Sequence, residues 1–343
     1  MPTTKTMKRK GNLADQIASL DNLYLAYTKA KRGKACKKEV LEFAKNFDAN
    51  IGKLRTDILN GHADVGHYHY FKIYDPKERI ICAASFGERV LHHAVMNVCH
   101  DTFDRNLIAD TYATRKGKGV YAALNKAKIA LSKHKYAVKL DFRKYYDSIS
   151  HEVLKAKLCR KFKDKRLLHI LYQIIDSYHT TPQHGLPIGN LTSQYLANFY
   201  LSELDHKCKE AWHICTYIRY MDDILLADND KTKLKDCVRH MYLYTAQQLE
   251  LTLKPPIFAK SINGLNFLGY KVMPHNLLLA GRSKRRFRTK LIQYNHLLDK
   301  GKWTANTYVE HIQPLIAFTM HAASRDFRAS CLEIAKGVSH EWV

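Results

Sequence analysis

Apolar and charged positions alternate at helical spacing through residues 13–60, with Leu20, Leu23, Leu25 and Ala26 on one stripe and Val40, Leu41, Phe43, Ala44 and Phe47 on another. The period then changes. From His67 to Lys72 the alternation is that of a strand, Asp75-Pro76 makes a turn, and Arg79 to Ala83 reads as the returning strand. Ser85-Phe86-Gly87-Glu88 has the form of a capping box and opens a helix with Val90, Leu91, Ala94, Val95 and Val98 on its apolar face. A glycine-basic loop, Thr114 to Gly119, precedes a helix over Val120 to Leu131. Tyr136 to Asp141 is a strand by alternation and ends in a carboxylate. Gly185 to Gln194 is a loop leading into a long helix through Leu204. Two apolar strands then flank Tyr220-Met221-Asp222-Asp223. An amphipathic helix covers Leu234 to Leu249, Pro255-Pro256 breaks the chain, Leu265 to Val272 reads as a strand pair, and the tail from residue 276 is helical. No internal repeat or long Gly/Ser linker interrupts the pattern, so the chain reads as one compact unit with subdomains.

A length of 343 residues allows one large domain or a few subdomains with a real core. Lys+Arg 56 against Asp+Glu 32 leaves a formal charge of +24, which favours a polyanionic partner. Charge alone leaves a ribosome-associated or merely basic protein open. The surplus is concentrated in Lys29–Lys38, Lys155–Arg166 and Arg282–Lys290. Eight cysteines contain no Cys-x-x-Cys pair, which excludes zinc-ribbon spacing and points to buried free thiols in a reducing compartment. His92 and His93 read as surface or core residues rather than metal ligands. The basic start carries no apolar segment of signal-peptide length, and no stretch approaches the ~18 apolar residues of a membrane span. A soluble intracellular protein is therefore expected.

Adjacent carboxylates at a hairpin tip repel each other unless a cation is bound, although Asp-Asp is also a common turn dipeptide. Asp141 ends one strand, and Asp222 and Asp223 lie on the later hairpin. If these strands are neighbours in a sheet, three carboxylates converge. That is a ligand set for two divalent ions about 3.5–4 Å apart and for in-line phosphoryl transfer.

In order and spacing, Asp141-x-x-x-Tyr145-Tyr146, Gly189-x-x-x-Ser193 and Tyr220-Met221-Asp222-Asp223 resemble the motifs of reverse transcriptases. Asp75-Pro76-Lys77-Glu78-Arg79 upstream and Phe267-Leu268-Gly269-Tyr270 downstream fit as well, so the likeness spans roughly residues 13 to 290. It implies that Asp141 and Asp222 are the principal ligands of two magnesium ions, with manganese as a substitute, and that Asp223 and Phe142 complete the metal site. Tyr146 is implied to lie under the incoming sugar, where a ring leaves no room for a 2′-hydroxyl. Lys77 and Arg79, with Arg115 as a further candidate, match cations that clamp the triphosphate; Phe142, Ile188, Gly189, Ser193 and Gln194 line the same nucleotide site. Lys254 is implied as the general acid toward pyrophosphate, although Pro255-Pro256 departs from the family's Asn-Pro-Lys pattern. Template and primer are assigned to Tyr220 and Met221, to the primer-grip residues Phe267, Leu268, Gly269 and Tyr270, and to a thumb helix carrying Arg282, Lys284, Arg285, Arg286, Arg288 and Lys290.

One departure points to a branch. Most reverse transcriptases carry Gln-Gly-x-x-x-Ser-Pro where this chain has Ile188-Gly189-x-x-x-Ser193-Gln194, the pattern of reverse transcriptases from diversity-generating retroelements. The short frame and Ala30-Lys-Arg-Gly-Lys34 fit that group. A glutamine at position 188 hydrogen-bonds near the nascent base pair and isoleucine cannot. Loss of such a contact is expected to lower discrimination against mispairing by about 1–3 kcal/mol, in keeping with the error-prone copying of template adenines that the resemblance implies. The resemblance implies a structured template-repeat RNA, the RNA/cDNA duplex and deoxynucleotides as substrates, a basic pentameric accessory variability protein as partner, no membrane, and a cytoplasmic setting in a prokaryotic cell, with a phage-borne gene as the variant. No RNase H, maturase or endonuclease domain is expected after the thumb. An intron-type, retron or CRISPR-associated reverse transcriptase is the alternative within the superfamily, and a catalytically inactive RNA-binding protein on the same scaffold is the alternative outside it.

The implied fold is α+β, a right-hand polymerase with an antiparallel ferredoxin-like palm sheet. The expected divisions are N-terminal helices and fingers over 1–115, palm over 116–148, fingers over 149–192, palm over 193–275 and thumb over 276–343.

Overall fold

A computed structural model describes residues 11–74 and 78–338 of the chain. Four helices come first: α1 (Leu13–Ile17), α2 (Leu20–Lys31), α3 (Lys38–Lys45) and α4 (Phe47–Leu59). Strands β1 (Tyr68–Tyr74) and β2 (Glu78–Ala84) pair antiparallel, and α5 (Phe86–Arg105) and α6 (Val120–Lys133) follow. Next are β3 (Tyr136–Leu140), α7 (His151–Lys161), α8 (Lys165–Asp176), α9 (Leu191–Tyr200) and α10 (Ser202–His206). The hairpin strands are β4 (Thr216–Tyr220) and β5 (Asp223–Asp228), followed by α11 (Lys231–Gln248) and β6 (Ile257–Lys260). A meander of β7 (Leu265–Phe267), β8 (Tyr270–Val272) and β9 (Leu277–Leu279) precedes α12 (Gly281–Asp299), α13 (Ala305–Met320) and α14 (Arg325–Val338).

These elements gather into two units, each assembled from three stretches of chain. The first holds residues up to 109, 142–211 and 239–254, and the second holds 110–141, 212–238 and 255 onward. In the first unit α5 carries the core through Val90, Leu91, Ala94, Val95, Cys99 and Phe103, all buried, and packs against α2 and α9. Phe103 meets the rings of Phe162 and Phe199 at 5.7 and 5.4 Å. Asp164 ties the helices together. Its Oδ1 caps α8 by accepting from Arg166 N and Leu167 N, and its Oδ2 accepts from Ala14 N of α1 at 2.9 Å.

The second unit is built on a sheet of order β4-β5-β3-β6, antiparallel throughout. With β3 as the first of the four strands in the chain, that is the 4-1-3-2 order of a ferredoxin-like sheet read from the β6 edge. Ala137, Val138 and Leu140 of β3 and Ile224 to Ala227 of β5 are buried. Ala123, Leu124, Ala127 and Leu131 of α6 join the meander residues Phe267, Tyr270 and Val272 in one apolar cluster. Phe287, Leu291, Ile312 and Cys331 form a separate small core among α12, α13 and α14.

Several expectations shift. Leu20, Leu25 and Leu41 are 45%, 47% and 52% exposed, so the apolar stripes of the first helices are narrower than the periodicity suggests. The long helix through Leu204 breaks at Leu201 into α9 and α10. The tail begins with β9 before turning helical. Only half of the capping box forms. Ser85 Oγ accepts from Glu88 N, but Ser85 N donates to His67 O, and the Glu88 carboxylate is buried facing His92 at 3.6 Å. Of the eight free cysteines, Cys36, Cys159 and Cys215 are exposed rather than buried. Among the described residues, no helix is long and apolar enough to cross a membrane.

Candidate active site

The carboxylates are set by strand register. β3 pairs with β5 from Tyr136↔Asp228 to Leu140↔Ile224, and one further residue along both strands brings Asp141 opposite Asp223. β5 is joined to β4 by a two-residue loop, Met221-Asp222, closed by the pair Tyr220↔Asp223. Asp141, Asp222 and Asp223 therefore lie at one end of one sheet. Met221 holds φ at 52°, a left-handed conformation costly for a long side chain and typical of strained functional turns.

Two side chains brace this end, and the motifs alone do not flag either. Arg219 is fully buried in β4 and donates from Nη1 to the Met221 carbonyl at 3.1 Å. Both of its main-chain groups bind the 110–112 segment, with Arg219 N donating to Asp110 O and Tyr112 N donating to Arg219 O. Lys139 Nζ stands 2.7 Å from Asp223 Oδ1, with the two side chains 21% and 28% exposed. The arrangement is an ion pair rather than an aligned hydrogen bond. The signals were present in the sequence: a cation inside an apolar strand at 219, and one at period-two spacing from Asp141 at 139.

Carboxylate oxygens are the hard donors that magnesium prefers. The backbone brings three of them to one end of the sheet, but among the described residues no group of three or more His, Cys, Asp and Glu side chains closes into a metal-holding cluster. Asp223 is paired with Lys139, whose charge neutralises it. The donor set therefore fits such an ion in type and backbone placement, with Lys139 as the competing cation.

Other assigned residues of the second unit fall into two groups. Burial takes Phe267 and Tyr270 away from a direct nucleic-acid contact, because strand alternation turns both side chains into the core. Tyr270 Oη donates to Phe318 O at 2.6 Å. The tip between them presents Leu268 and Gly269, both at positive φ (48° and 87°), and Ser283 Oγ donates to Gly269 O at 2.6 Å. On α12, Arg282, Lys284, Arg285, Arg286 and Arg288 are exposed and Lys290 is half-buried, while Phe287 and Leu291 face the core. Lys284 and Arg288 both lie over the Phe327 ring, at 5.4 and 5.3 Å. Arg115 is turned toward its own loop, with Nη1 donating to Thr111 O at 3.4 Å. Tyr220 is half-buried, which pushes its hydroxyl pKa up.

The first unit holds the nucleotide-site candidates other than Arg115. Phe142 is buried and bridges Leu253, so its side chain serves the core. Tyr146 opens a short 3-10 turn, is half-buried, and accepts from Leu186 N at its carbonyl. The loop that follows is stitched to β2, with Cys82 N donating to Ile188 O at 2.8 Å and Ala84 N donating to Asn190 Oδ1 at 3.2 Å. Gly189 has φ 123°, and a Cβ there would lie 2.8 Å from Ile81 Cγ2 and 3.2 Å from Cys82 O, so glycine is required. Ile188 is half-buried, Ser193 is buried in α9, and Gln194 is exposed. Arg79 is exposed on β2, and Lys77 lies outside the described residues. Lys254 is half-buried, and its carbonyl accepts from Tyr242 Oη at 2.7 Å. Lys254, Tyr146 and the 188–194 loop thus belong to the first unit, and the three aspartates to the second.

This sheet, with its Tyr-Met-Asp-Asp hairpin, belongs to a recognised class. The family model described as reverse transcriptase (RNA-dependent DNA polymerase) matches residues 74–272, more than half of the chain. The chain belongs to the reverse transcriptase family, and its mixed helices and antiparallel sheets are of the right-hand polymerase fold class. It is 30% identical over 189 residues to the retron Ec73 reverse transcriptase of Escherichia coli, covering 50% of this chain and 58% of that one. It is 25% identical over 136 residues to the group II intron-encoded protein LtrA of Lactococcus lactis subsp. cremoris, covering 38% and 22%. The chain thus spans less than two thirds of either curated relative. An apo telomerase from Candida tropicalis superposes with a TM-score of 0.49 at 13% identity, over 83% of this chain and 63% of that one.

Proposed function

We propose that the chain is an RNA-templated DNA polymerase whose copying is error-prone at template adenines, making cDNA for the mutagenic retrohoming of a diversity-generating retroelement. The observation that carries the polymerase reading is the β3–β5 register, whose last pair, Leu140↔Ile224, leaves Asp141 and Asp223 as the next residues beyond it, with Asp222 in the adjoining turn. Divalent ions held by Asp141, Asp222 and Asp223, with Phe142 alongside, would supply charge neutralisation and an acidified primer 3′-hydroxyl. Arg219 and the strained Met221 turn hold Asp222 in place before substrate arrives. Tyr146 excludes a 2′-hydroxyl, Lys77 and Arg79 neutralise the triphosphate, and Lys254 donates the proton that pyrophosphate takes up. Five exposed cations on α12 suit a phosphate backbone, and two of them, Arg282 and Lys284, lie in the first turn, where positive charge opposes the helix dipole and calls for an anion. On this reading 1–115 and 149–192 are fingers, 116–148 and 193–275 palm, and 276–343 thumb.

Ile188 and Gln194, in place of Gln and Pro, support the retroelement branch. A structured template RNA and a basic pentameric accessory protein would then be its partners. The 30% identity to a retron enzyme favours a retron-type polymerase as the second reading. Two assays decide. Primer extension on RNA with magnesium must be lost in Asp222→Asn/Asp223→Asn, and equal extension by that variant overturns the polymerase reading. Sequenced cDNA from an adenine-containing template must show misincorporation at adenines that falls in Ile188→Gln; faithful copying by the unaltered chain favours the retron reading.

A further inference from the structure

A cavity of about 430 Å³ opens in the second unit at the end of β3 remote from Asp141. β3 begins with Tyr136, a lining residue, and its five residues at about 3.3 Å each separate the two ends by roughly 15 Å. His134, Lys135, Lys260 and His275 line the cavity, and no Asp or Glu does. Strand pairing fixes the two lysines on neighbouring strand ends: Tyr136 is in register with Lys260, and Ser261 N donates to Lys135 O at 3.0 Å. Neither lysine meets a carboxylate among the described residues.

Two of the lining residues carry a buried polar atom with no protein partner. Ser261 is 3% exposed, and its Oγ is unbonded. His134 Nδ1 is likewise buried and unbonded, while its Nε2 meets Thr216 Oγ1 at 3.0 Å. A buried hydroxyl and ring nitrogen left without partners cost stability unless a ligand supplies them. Carbonyls at the end of α6, which would repel an anion, are partly taken up, since Ala130 O accepts from His134 N and Ile129 O accepts from Ser132 Oγ.

We propose that this cavity is a phosphate-binding site separate from the carboxylate end of the sheet, and that it takes a backbone phosphate of RNA. Two lysine charges, two imidazoles and an orphaned hydroxyl match the oxygens of a phosphate in both charge and hydrogen bonding. The cavity lies outside the residues assigned to template and primer, so the phosphate belongs to RNA that the polymerase holds but is not copying. The choice of RNA rests on the function proposed above. The chemistry is shared with free nucleotide or inorganic phosphate.

The test uses the full chain and Lys135→Gln/Lys260→Gln, both exposed positions whose loss leaves the core intact. Binding of a labelled short poly(U) RNA is measured across a salt series. The slope of log affinity against log salt should shrink by about 0.7 in the variant, since the site takes one phosphate and each single-strand phosphate contact contributes about 0.7. The ring resonances of His134 and His275 should move when that RNA is added. Resonances that move with inorganic phosphate alone, with the RNA slope unchanged, overturn the RNA assignment in favour of a free anion. An unchanged slope with immobile resonances overturns the site altogether. Primer extension on a short annealed template reads the polymerase proposal separately, so either can fail alone.

Discussion

Lys139 Nζ lies 2.7 Å from Asp223 Oδ1, on the strand that ends at Leu140, immediately before Asp141. The pair gives Asp223 a cation before any divalent ion arrives, so an incoming ion competes with a tethered one. A partly exposed pair of this kind contributes about 1 kcal/mol, or about fivefold in an equilibrium. Lys139→Met should therefore bind manganese about fivefold more tightly without nucleotide, as read by electron paramagnetic resonance of the free ion. Weaker binding by the variant would mean that Lys139 supports the ion site instead of competing for it.

Arg219 secures the hairpin from inside. Replacing it with Met removes the donor to the Met221 carbonyl and leaves that turn to relax. A hydrogen bond from a charged group contributes about 1.5–3 kcal/mol, and the thermal midpoint should fall accordingly. Extension should drop in kcat with little change in the KM for nucleotide. A KM effect with kcat intact would move Arg219 out of the positioning role.

Gly189 anchors the loop that presents Ile188. With φ at 123° and Ile81 Cγ2 only 2.8 Å from where an alanine methyl would sit, Gly189→Ala must break the bond from Cys82 N to Ile188 O or shift β2. The cost is about 1–3 kcal/mol. Hydrogen exchange at the Cys82 amide should quicken in the variant; unchanged protection would show that the loop tolerates the side chain.

Acid sensitivity follows from two buried groups of the first unit. Burial alone would raise the Asp164 pKa, but the amides of Ala14, Leu167 and Leu13, with Arg166 nearby, hold it below the ordinary 3.8. The folded value lies below the unfolded one, so this contribution is whole above 3.8 and is lost as pH falls through the folded value. Asp164→Asn should cost about 1–2 kcal/mol at neutral pH, as a weakened cap, and less below 3.8. His92 acts in the same direction: burial lowers its pKa from 6.5 to about 3, so the unfolded chain takes up a proton first and stability falls as pH drops below 6.5. Glu88 has the opposite sign, because burial raises its pKa above 4.5 and its contribution is lost as pH rises through the raised value. Urea midpoints of the unaltered chain and of His92→Gln across pH should differ most on the acid side; parallel profiles would remove His92 from the account.

Much of the second unit was legible in the chain because register and motif agree. Tyr136 to Asp141 and the Asp222-Asp223 hairpin read as strands, and they pair as neighbours. β6 was hidden because Ile257-Phe-Ala-Lys260 is too short to show a period and becomes a strand only against β3. The break at Leu201 was hidden because apolar residues continue through it at helical spacing. Phe267 and Tyr270 illustrate a different limit: a motif names positions, while alternation decides which side chains face outward, and both of these face the core. Glu88 had the spacing of a capping residue, yet burial beside His92 removed its side chain from the cap. Lys139 and Arg219 needed the sheet, since their partners are distant in sequence or lie on a turn whose shape the motif does not reveal.

The most direct test of the central claim is primer extension on an RNA template with magnesium, comparing the unaltered chain with Asp141→Asn. Asp141 is the one carboxylate supplied by a different strand, so its role depends on the register rather than on the hairpin. The account predicts that extension falls by about a thousandfold or more, equivalent to about 4 kcal/mol of lost transition-state stabilisation, while RNA binding is retained. Extension by Asp141→Asn at the unaltered rate would contradict it.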